Sequence, residues 1–168
     1  HTIGEATELD KGMVEKITDP LTHLVRNALD HGIELPAERV AKGKPASGSI
    51  TLAAEHKGGS IAIEVRDDGR GLSREKIYRK AQERGLPVHD QMTDHEVFQL
   101  IFEPGFSTAD QVTDVSGRGV GMDVVRRNIL ALGGTVDLDS AEGYGMRVTV
   151  RLPLTLAAIL FLSVGWRL

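Results

Sequence analysis

Apolar residues recur at helical spacing in the first part of the chain. This period predicts a short helix over residues 8–17 and a second helix over residues 19–32. Asp19 can accept the free amides of the first turn of the second helix, Pro20 stands where no amide is needed, and Gly32 can end it. The second helix therefore carries chemical signals at both of its ends.

The pattern then changes to an alternation of apolar and polar residues. Two alternating segments flank Gly58 and Gly59, which predicts an antiparallel hairpin with one apolar face. The apolar positions of that face are Ile50, Leu52, Ala54, Ile61, Ile63 and Val65.

Segments of the same two kinds continue to residue 152. They are a helix over 73–84 stopped by Gly85, a helix that begins at the capping box Thr93–Glu96, a helix from Met122 that ends at Gly133, and two strands at 135–140 and 146–152. Helices and hairpins mixed in this way favour an α+β fold over a parallel doubly wound fold. We expect a two-layer sandwich, with helices on one face of a mixed, mostly antiparallel sheet.

Composition excludes several classes of protein. A length of 168 residues is enough for one domain with an adequate core. The formal charge of −4 argues against a nucleic-acid binder, because a phosphate backbone favours a concentrated basic surface. The absence of cysteine excludes disulfides and zinc–thiolate sites. The longest apolar run, at 156–162, is far shorter than the ~20 residues of a spanning helix, so we expect no membrane insertion.

One face of the predicted helix over 19–32 is polar. The simplest interpretation is a solvated helix face. Such faces are normally rich in Lys and Glu, whereas this one carries His23, Asn27, Asp30 and His31. These short groups suit metal and phosphate contacts. The two histidines and Asn27 span too far to hold one ion together, whereas the Asn27 amide oxygen alone can serve Mg²⁺, which prefers one protein oxygen with phosphates and waters.

The motif DDGRG, at 67–71, follows the second strand of the hairpin. It is either an ordinary tight turn or part of a base-binding site. In the second interpretation Asp67 accepts a hydrogen bond from the adenine amine, while Gly69 and Gly71 let the backbone pass close under the ring.

A glycine-rich stretch, VSGRGVGMDVV at 115–125, leads into the predicted helix that begins at Met122. It fits neither the dinucleotide fingerprint nor the P-loop. It is either an ordinary loop and helix start or a phosphate-binding loop whose amides face a ligand.

Five motifs together resemble a known family. HLVRNALDHGIE, DDGRGL, FEPGFST, VSGRGVGMDVV and EGYGMRVTVRLPLT occur in the order and approximate spacing of the N, G1, F, G2 and G3 boxes of the GHKL ATP-binding family. The variants DHGIE, PGFST and VSGRGVGMDVV are similar to the catalytic domains of the CheA family of chemotaxis histidine kinases. The resemblance covers residues 4–154. It implies a two-layer sandwich of the GHKL (Bergerat) type, with ATP between the helices and a lid.

The resemblance implies an ATP site with Mg²⁺. Asn27 would bind the metal, with His23, Asp30 and His31 near the triphosphate, and Asp67 would hold adenine; the implied catalytic residues are His23 and Asn27. The remaining implied ATP-binding residues are Gly69, Gly71, Lys76, Phe102, Phe106, Ser116, Gly117, Gly119, Val120, Gly121 and Met122.

Three further features of this site follow from the resemblance. Phe102 and Phe106 would bracket a lid over residues 103–117, although core packing also accounts for both rings. Met146 stands where the family usually has Thr, which removes a hydroxyl that supports the adenine site. Gyrase-like members carry Glu at the position of His23, and an imidazole is a weaker base toward water.

The implied function is transfer of the ATP γ-phosphate to a histidine on a separate phosphotransfer domain of the same kinase. A GHKL hydrolase of the gyrase or mismatch-repair type, and a nucleotide-binding regulatory module without transfer activity, are the alternatives. The adaptor CheW and receptors would act through domains outside this sequence, and a response regulator indirectly. We expect a cytoplasmic protein at receptor arrays under the inner membrane, dimeric in full length and monomeric as this segment.

The resemblance also divides the chain. Residues 1–153 would form the kinase domain, without an amino-terminal helix and strand that the family has before it. Residues 154–168 would begin a following regulatory domain.

Overall fold

The computed structural model describes residues 3–106 and 121–155, with side chains from Gly12 onward. The helices are α1 (Ile3–Asn27), α2 (Pro36–Ala41), α3 (Arg74–Glu83), α4 (Asp94–Gln99) and α5 (Met122–Ala131); a π-helical turn (Ala28–Gly32) follows α1 and a 3-10 turn (Leu100–Phe102) follows α4. The strands are β1 (Ile50–Lys57), β2 (Ser60–Asp67), β3 (Thr135–Ala141) and β4 (Gly145–Pro153). Most of the predicted lid and of the segment 154–168 lies outside the described residues.

The four described strands form one antiparallel sheet in the order β1-β2-β4-β3. On one face, Ile63 lies opposite Val150 and Val65 lies opposite Val148, and all four side chains are buried. That face joins a single core with residues of the helices, such as Ile17 of α1. The predicted α+β fold, with helices packed on one face of an antiparallel sheet, is confirmed.

The prediction of two separate amino-terminal helices is wrong. One helix, α1, runs from Ile3 to Asn27 with Pro20 inside it. Proline cannot donate to the carbonyl one turn earlier, which ordinarily ends or kinks a helix. Here the Pro20 ring is fully buried and Ile17 lies wholly in the core, so packing stabilises the continuous helix. Asp19, which the local pattern marks as a cap, is an exposed residue within the helix.

The predicted hairpin is present, with its turn at Gly58 and Gly59. The prediction of its apolar face is only half correct. The β2 residues of that face, Ile61, Ile63 and Val65, are buried, whereas Leu52 of β1 is 60% exposed. The reason is position, since β1 is the edge strand of the described sheet and pairs on one side only.

Local signals predicted the other element ends well. Ser73 accepts a hydrogen bond from the amide of Lys76 at the start of α3, and Thr93 does the same for Glu96 at the start of α4. Helix α2, which has Pro36 at its first position, was not predicted. Among the helices of residues 3–106 and 121–155, none combines the length and the apolar composition needed to cross a membrane.

Candidate functional site

A cavity of about 790 Å³ opens where the π-helical turn, the end of β2, α3 and the start of α5 meet. This volume lies within the range of roughly 300–1,000 Å³ that is typical of small-molecule sites. Its lining residues are Asn27, His31, Gly32, Glu38, Lys42, Asp67, Arg70, Gly71, Leu72, Ser73, Lys76, Ile77, Lys80, Ile101, Phe106, Gly121, Met122, Glu142, Gly143 and Met146.

Asp67 is a buried carboxylate that faces this cavity. It is the last residue of β2, two positions after the buried Val65, so alternation along the strand turns its side chain toward the helix layer. Only 6% of the residue is exposed. Its Oδ1 accepts a hydrogen bond from the amide of Gly69 at 2.9 Å. The carboxylate is therefore held in place, and it offers a hydrogen-bond acceptor to the cavity from a mostly buried position.

The pKa of Asp67 is raised above its ordinary value. Burial is the main cause, since it disfavours the charged form. The amides of Gly69 and Met146 partly offset this effect by stabilising the carboxylate, and the negative charges of Asp68 and Glu34 add to the rise. The backbone of Met146 therefore supports the charged form of Asp67.

The turn after Asp67 requires glycine at two positions. A Cβ on Gly69 would lie 2.0 Å from the carbonyl oxygen of Gly32, closer than any side chain can approach. Gly71 has a positive φ of 68°, and a Cβ there would lie 2.3 Å from the oxygen of Ala141. The turn therefore packs closely between the π-helical turn and the connection from β3 to β4. Gly71 also lines the cavity.

Asn27 ends α1 at the edge of the same cavity. Its Nδ2 donates to the sulfur of Met122 at 3.8 Å, which fixes the amide group and leaves Oδ1 available. A single amide oxygen beside a cavity fits Mg²⁺, which takes its other ligands from phosphates and water. Within the described residues no group of three or more His, Asp or Glu side chains could hold a metal by itself.

The charged part of the lining carries four cationic side chains and three carboxylates. The cations are Lys42, Arg70, Lys76 and Lys80, against the carboxylates of Glu38, Asp67 and Glu142. Nζ of Lys80 also lies 5.1 Å from the centre of the Phe106 ring, a cation–π contact. The sequence pointed to Lys76 alone, but Lys80 stands one helical turn later, and that spacing was the available signal.

The predicted site residues fall into three groups. Those that line the cavity are Asn27, His31, Asp67, Gly71, Lys76, Phe106, Gly121 and Met122. Those that are described but do not line it are His23, Asp30, Gly69 and Phe102. Those outside the described residues are Ser116, Gly117, Gly119 and Val120.

Two of the second group have clear surroundings. Phe102 is buried in the core, with the Arg126 guanidinium 5.5 Å from its ring centre. His23 has a buried Nδ1 without a hydrogen-bond partner in the described part of the chain. The roles assigned to all of these residues stay predictions.

Comparison with known proteins identifies the family. A family model described as "Histidine kinase-, DNA gyrase B-, and HSP90-like ATPase" matches residues 16–156. The chain belongs to this ATPase family. Membership in the family implies that the chain binds ATP.

Relatives within the ATPase family are close. The chain is 59% identical to the chemotaxis protein CheA of Salmonella typhimurium over 96% of its own length and 24% of that protein. It is 62% identical to CheA of Klebsiella aerogenes over 96% of its length and 25% of that protein. The resemblance to the CheA family is thus confirmed. The chain spans about a quarter of the length of these curated relatives.

A solved structure is also similar. The histidine kinase domain from the Erythrobacter litoralis EL346 blue-light activated histidine kinase aligns with a TM-score of 0.48 and 19% identity, over 86% of this chain and 46% of that one.

Proposed function

We propose that this chain is the ATP-binding catalytic domain of a chemotaxis histidine kinase, which transfers the γ-phosphate of ATP to a histidine on a separate phosphotransfer domain of the same kinase. One observation carries the proposal. A single cavity is lined by a buried carboxylate suited to adenine, an amide suited to Mg²⁺ and several lysines suited to phosphates.

Asp67 would select the base. An ionised carboxylate only accepts hydrogen bonds, so it matches the amine of adenine and not the carbonyl that guanine presents at the same edge. Gly71, in the turn beside it, lines the same cavity. ATP should therefore bind more tightly than GTP.

Asn27, His31 and the lysines of α3 would hold the triphosphate. Phosphoryl transfer depends mainly on positioning and on neutralising the charge of the transferred group. When bound, Mg²⁺ would supply charge neutralisation between the phosphates. Asn27 would hold the ion and Lys76 would contact phosphate oxygens. The glycines before α5 would offer amides, and Gly121, the one among them within the described residues, lines the cavity.

His23 bears on the choice between kinase and hydrolase. It lies one turn before Asn27 on α1, and its Nδ1 has no partner within the described residues. Without a hydrogen-bonded carboxylate to orient it, the imidazole is a poor base toward water. We expect slow hydrolysis, so that bound ATP waits for the acceptor histidine.

The deciding experiment mixes this chain with radiolabelled ATP, Mg²⁺ and a separate histidine phosphotransfer domain. We expect a labelled acceptor and barely detectable phosphate release. Asn27→Ala should block transfer, and His23→Ala should lower transfer more than ATP binding if the ring helps to place the γ-phosphate. Brisk phosphate release without a labelled acceptor would replace the kinase with the hydrolase, and ATP binding with neither reaction would support a regulatory module.

The setting of this activity extends the proposal. The printed name of the relatives, chemotaxis protein CheA, supports a role in a two-component chemotaxis pathway. In that role the adaptor CheW and receptors would act through other domains of a dimeric kinase, and a response regulator would receive the phosphate. The location would be cytoplasmic, at receptor arrays, with residues 154–168 leading into a regulatory domain.

A further inference from the structure

Arg39 of α2 is a fully buried cation that does not line the cavity. Its Nε donates to the carbonyl oxygen of Pro45 at 2.7 Å, and its Nη1 donates to Oε1 of Glu34 at 2.9 Å. The guanidinium also donates to Asp68, from Nη1 to the backbone oxygen at 3.2 Å and from Nη2 to Oδ2 at 3.1 Å. Arg39 therefore fixes both the backbone and the side chain of the residue that follows Asp67.

Lys44 completes the contacts from the other side. Its Nζ donates to Oε2 of Glu34 at 2.7 Å, to the backbone oxygen of Asp68 at 3.1 Å and to the backbone oxygen of Gly69 at 2.8 Å. Its side chain is 17% exposed and also lies outside the cavity lining. Both cations thus donate to the carbonyl oxygen of Asp68, and Lys44 also donates to that of Gly69.

Glu34 joins these cations to the π-helical turn that follows Asn27. Burial alone would raise the pKa of this carboxyl, but the hydrogen bond from Lys44, a backbone hydrogen bond and the charges of Lys44 and Arg39 lower it to about 2. The amide of Arg70 donates to the oxygen of Gly32 at 2.8 Å, a second link between the same two turns. The base-binding turn and the end of the metal-binding helix are therefore fastened to each other.

Burying charged side chains is an unfavourable way to fill the interior of a protein, because the charges lose their hydration, and apolar residues of similar volume often give equal or greater stability. The benefit of such buried charges is a defined geometry, because charged donors fix the acceptors that they contact. Here the acceptors are the carbonyl oxygens of residues 68 and 69, directly after Asp67.

We propose that Arg39 and Lys44 are positioning residues for recognition of the adenine base. They hold the turn at residues 67–69 so that one carboxylate oxygen of Asp67 stays on the Gly69 amide and the other faces the cavity beside Gly32. This inference rests on the proposed function, since it assigns the two cations to the adenine end of the same site.

The test uses Lys44→Met, because Arg39→Met would remove a fully buried partner from the buried Glu34 carboxylate and endanger the fold. Lys57→Met is the matched control, since Lys57 is an exposed lysine whose ion pair with Glu55 is 3.9 Å long. Hydrogen exchange of the Gly69 amide is measured without nucleotide. We expect exchange about tenfold faster in Lys44→Met, from loss of charged hydrogen bonds, and no change in the control.

The second arm compares binding of ATP with binding of purine riboside triphosphate, which lacks the adenine amine. Lys44→Met should weaken ATP binding about tenfold and leave the binding of the amine-free triphosphate almost unchanged. In an Asp67→Asn background the same substitution should cause little further loss, because both changes act on one interaction.

Unchanged exchange at Gly69, or equal weakening of both triphosphates, would overturn the positioning role. A protein that binds neither triphosphate would overturn the proposed function instead. In that case the exchange measurement alone still decides whether Lys44 holds the turn.

Discussion

Asp67→Asn should change nucleotide affinity and protein stability in opposite directions. The substitution keeps the size of the side chain, and an amide oxygen can still accept the hydrogen bond from Gly69. The group that faces the cavity then becomes an NH₂, which donates and so meets the amine of adenine as donor against donor. The negative charge is lost as well.

The magnitude follows from the surroundings of Asp67. A hydrogen bond to a charged group contributes about 1.5–3 kcal/mol, and little water can replace it at a residue that is 6% exposed. Since about 1.4 kcal/mol corresponds to a factor of ten, the dissociation constant for ATP should rise roughly 10-fold to 150-fold.

Stability should respond in the other direction. The folded-state pKa of Asp67 is raised, chiefly by burial, so the stabilising contribution of its protonated form is present below the unfolded-state pKa and is lost as pH rises through the folded-state pKa. At neutral pH the buried carboxylate is therefore a cost, which Asn removes. The nucleotide-free variant should melt at the same temperature as the wild type or higher.

Calorimetric titration with ATP and GTP, together with thermal melting without nucleotide, would measure both effects. Asp90→Asn serves as a control, because this exposed carboxylate accepts a hydrogen bond from Tyr78 and does not line the cavity. If Asp67→Asn lowered the melting temperature and left ATP affinity unchanged, or if the wild type bound ATP and GTP equally, the assignment of Asp67 to adenine would be wrong.

Three other outcomes follow from the structure. Because the pKa of Asp67 is raised above the ordinary value of 3.8, acidification should begin to weaken ATP binding at a higher pH than for an ordinary Asp. ATP titrations at several pH values would measure this, and an affinity that stays constant above that ordinary range would contradict it. Gly69→Ala should destabilise the fold by about 1–3 kcal/mol, because the added Cβ would overlap the Gly32 oxygen. Gly59→Ala is the control and should not destabilise it, since no atom lies within 4 Å of the added Cβ. Equal denaturant midpoints for the two variants would contradict this expectation. The pKa of Glu34 is lowered to about 2, so its ionised form stabilises the fold above the unfolded-state pKa near 4.5 and this contribution is lost as pH falls toward 2. Glu34→Gln should therefore reduce the dependence of stability on pH in acid. An unchanged dependence would argue against the ion pairs of Glu34.

Features that depend on a few consecutive residues could be predicted from the sequence. The hairpin turn at Gly58 and Gly59 and the caps Ser73 and Thr93 are such features. In each of them the groups that make the hydrogen bond or the turn are within four residues of one another, so the chemistry of the stretch decides its structure. Alternation along β2 likewise accounts for the buried side chain of Asp67, two residues after Val65.

Features that depend on distant partners could not be predicted from a local pattern. Asp19 and Pro20 have the local chemistry of a helix start, but burial of Pro20 against the core keeps α1 continuous. Leu52 matches the pattern of a buried strand residue, yet it is exposed because β1 forms the edge of the described sheet. Burial depends on which elements pack together, and a local pattern does not contain that information.

The charged network shows the same limit at the site. Arg39 belongs to a polar stretch that resembles a solvated surface, and its partner Asp68 lies twenty-nine residues away. No spacing in the sequence marks that pair, because the two residues meet only after α2 has packed behind the turn. The sequence therefore predicted residues for the chemistry of adenine and phosphate. The packing of α2 behind the turn that follows Asp67 emerged only from the fold.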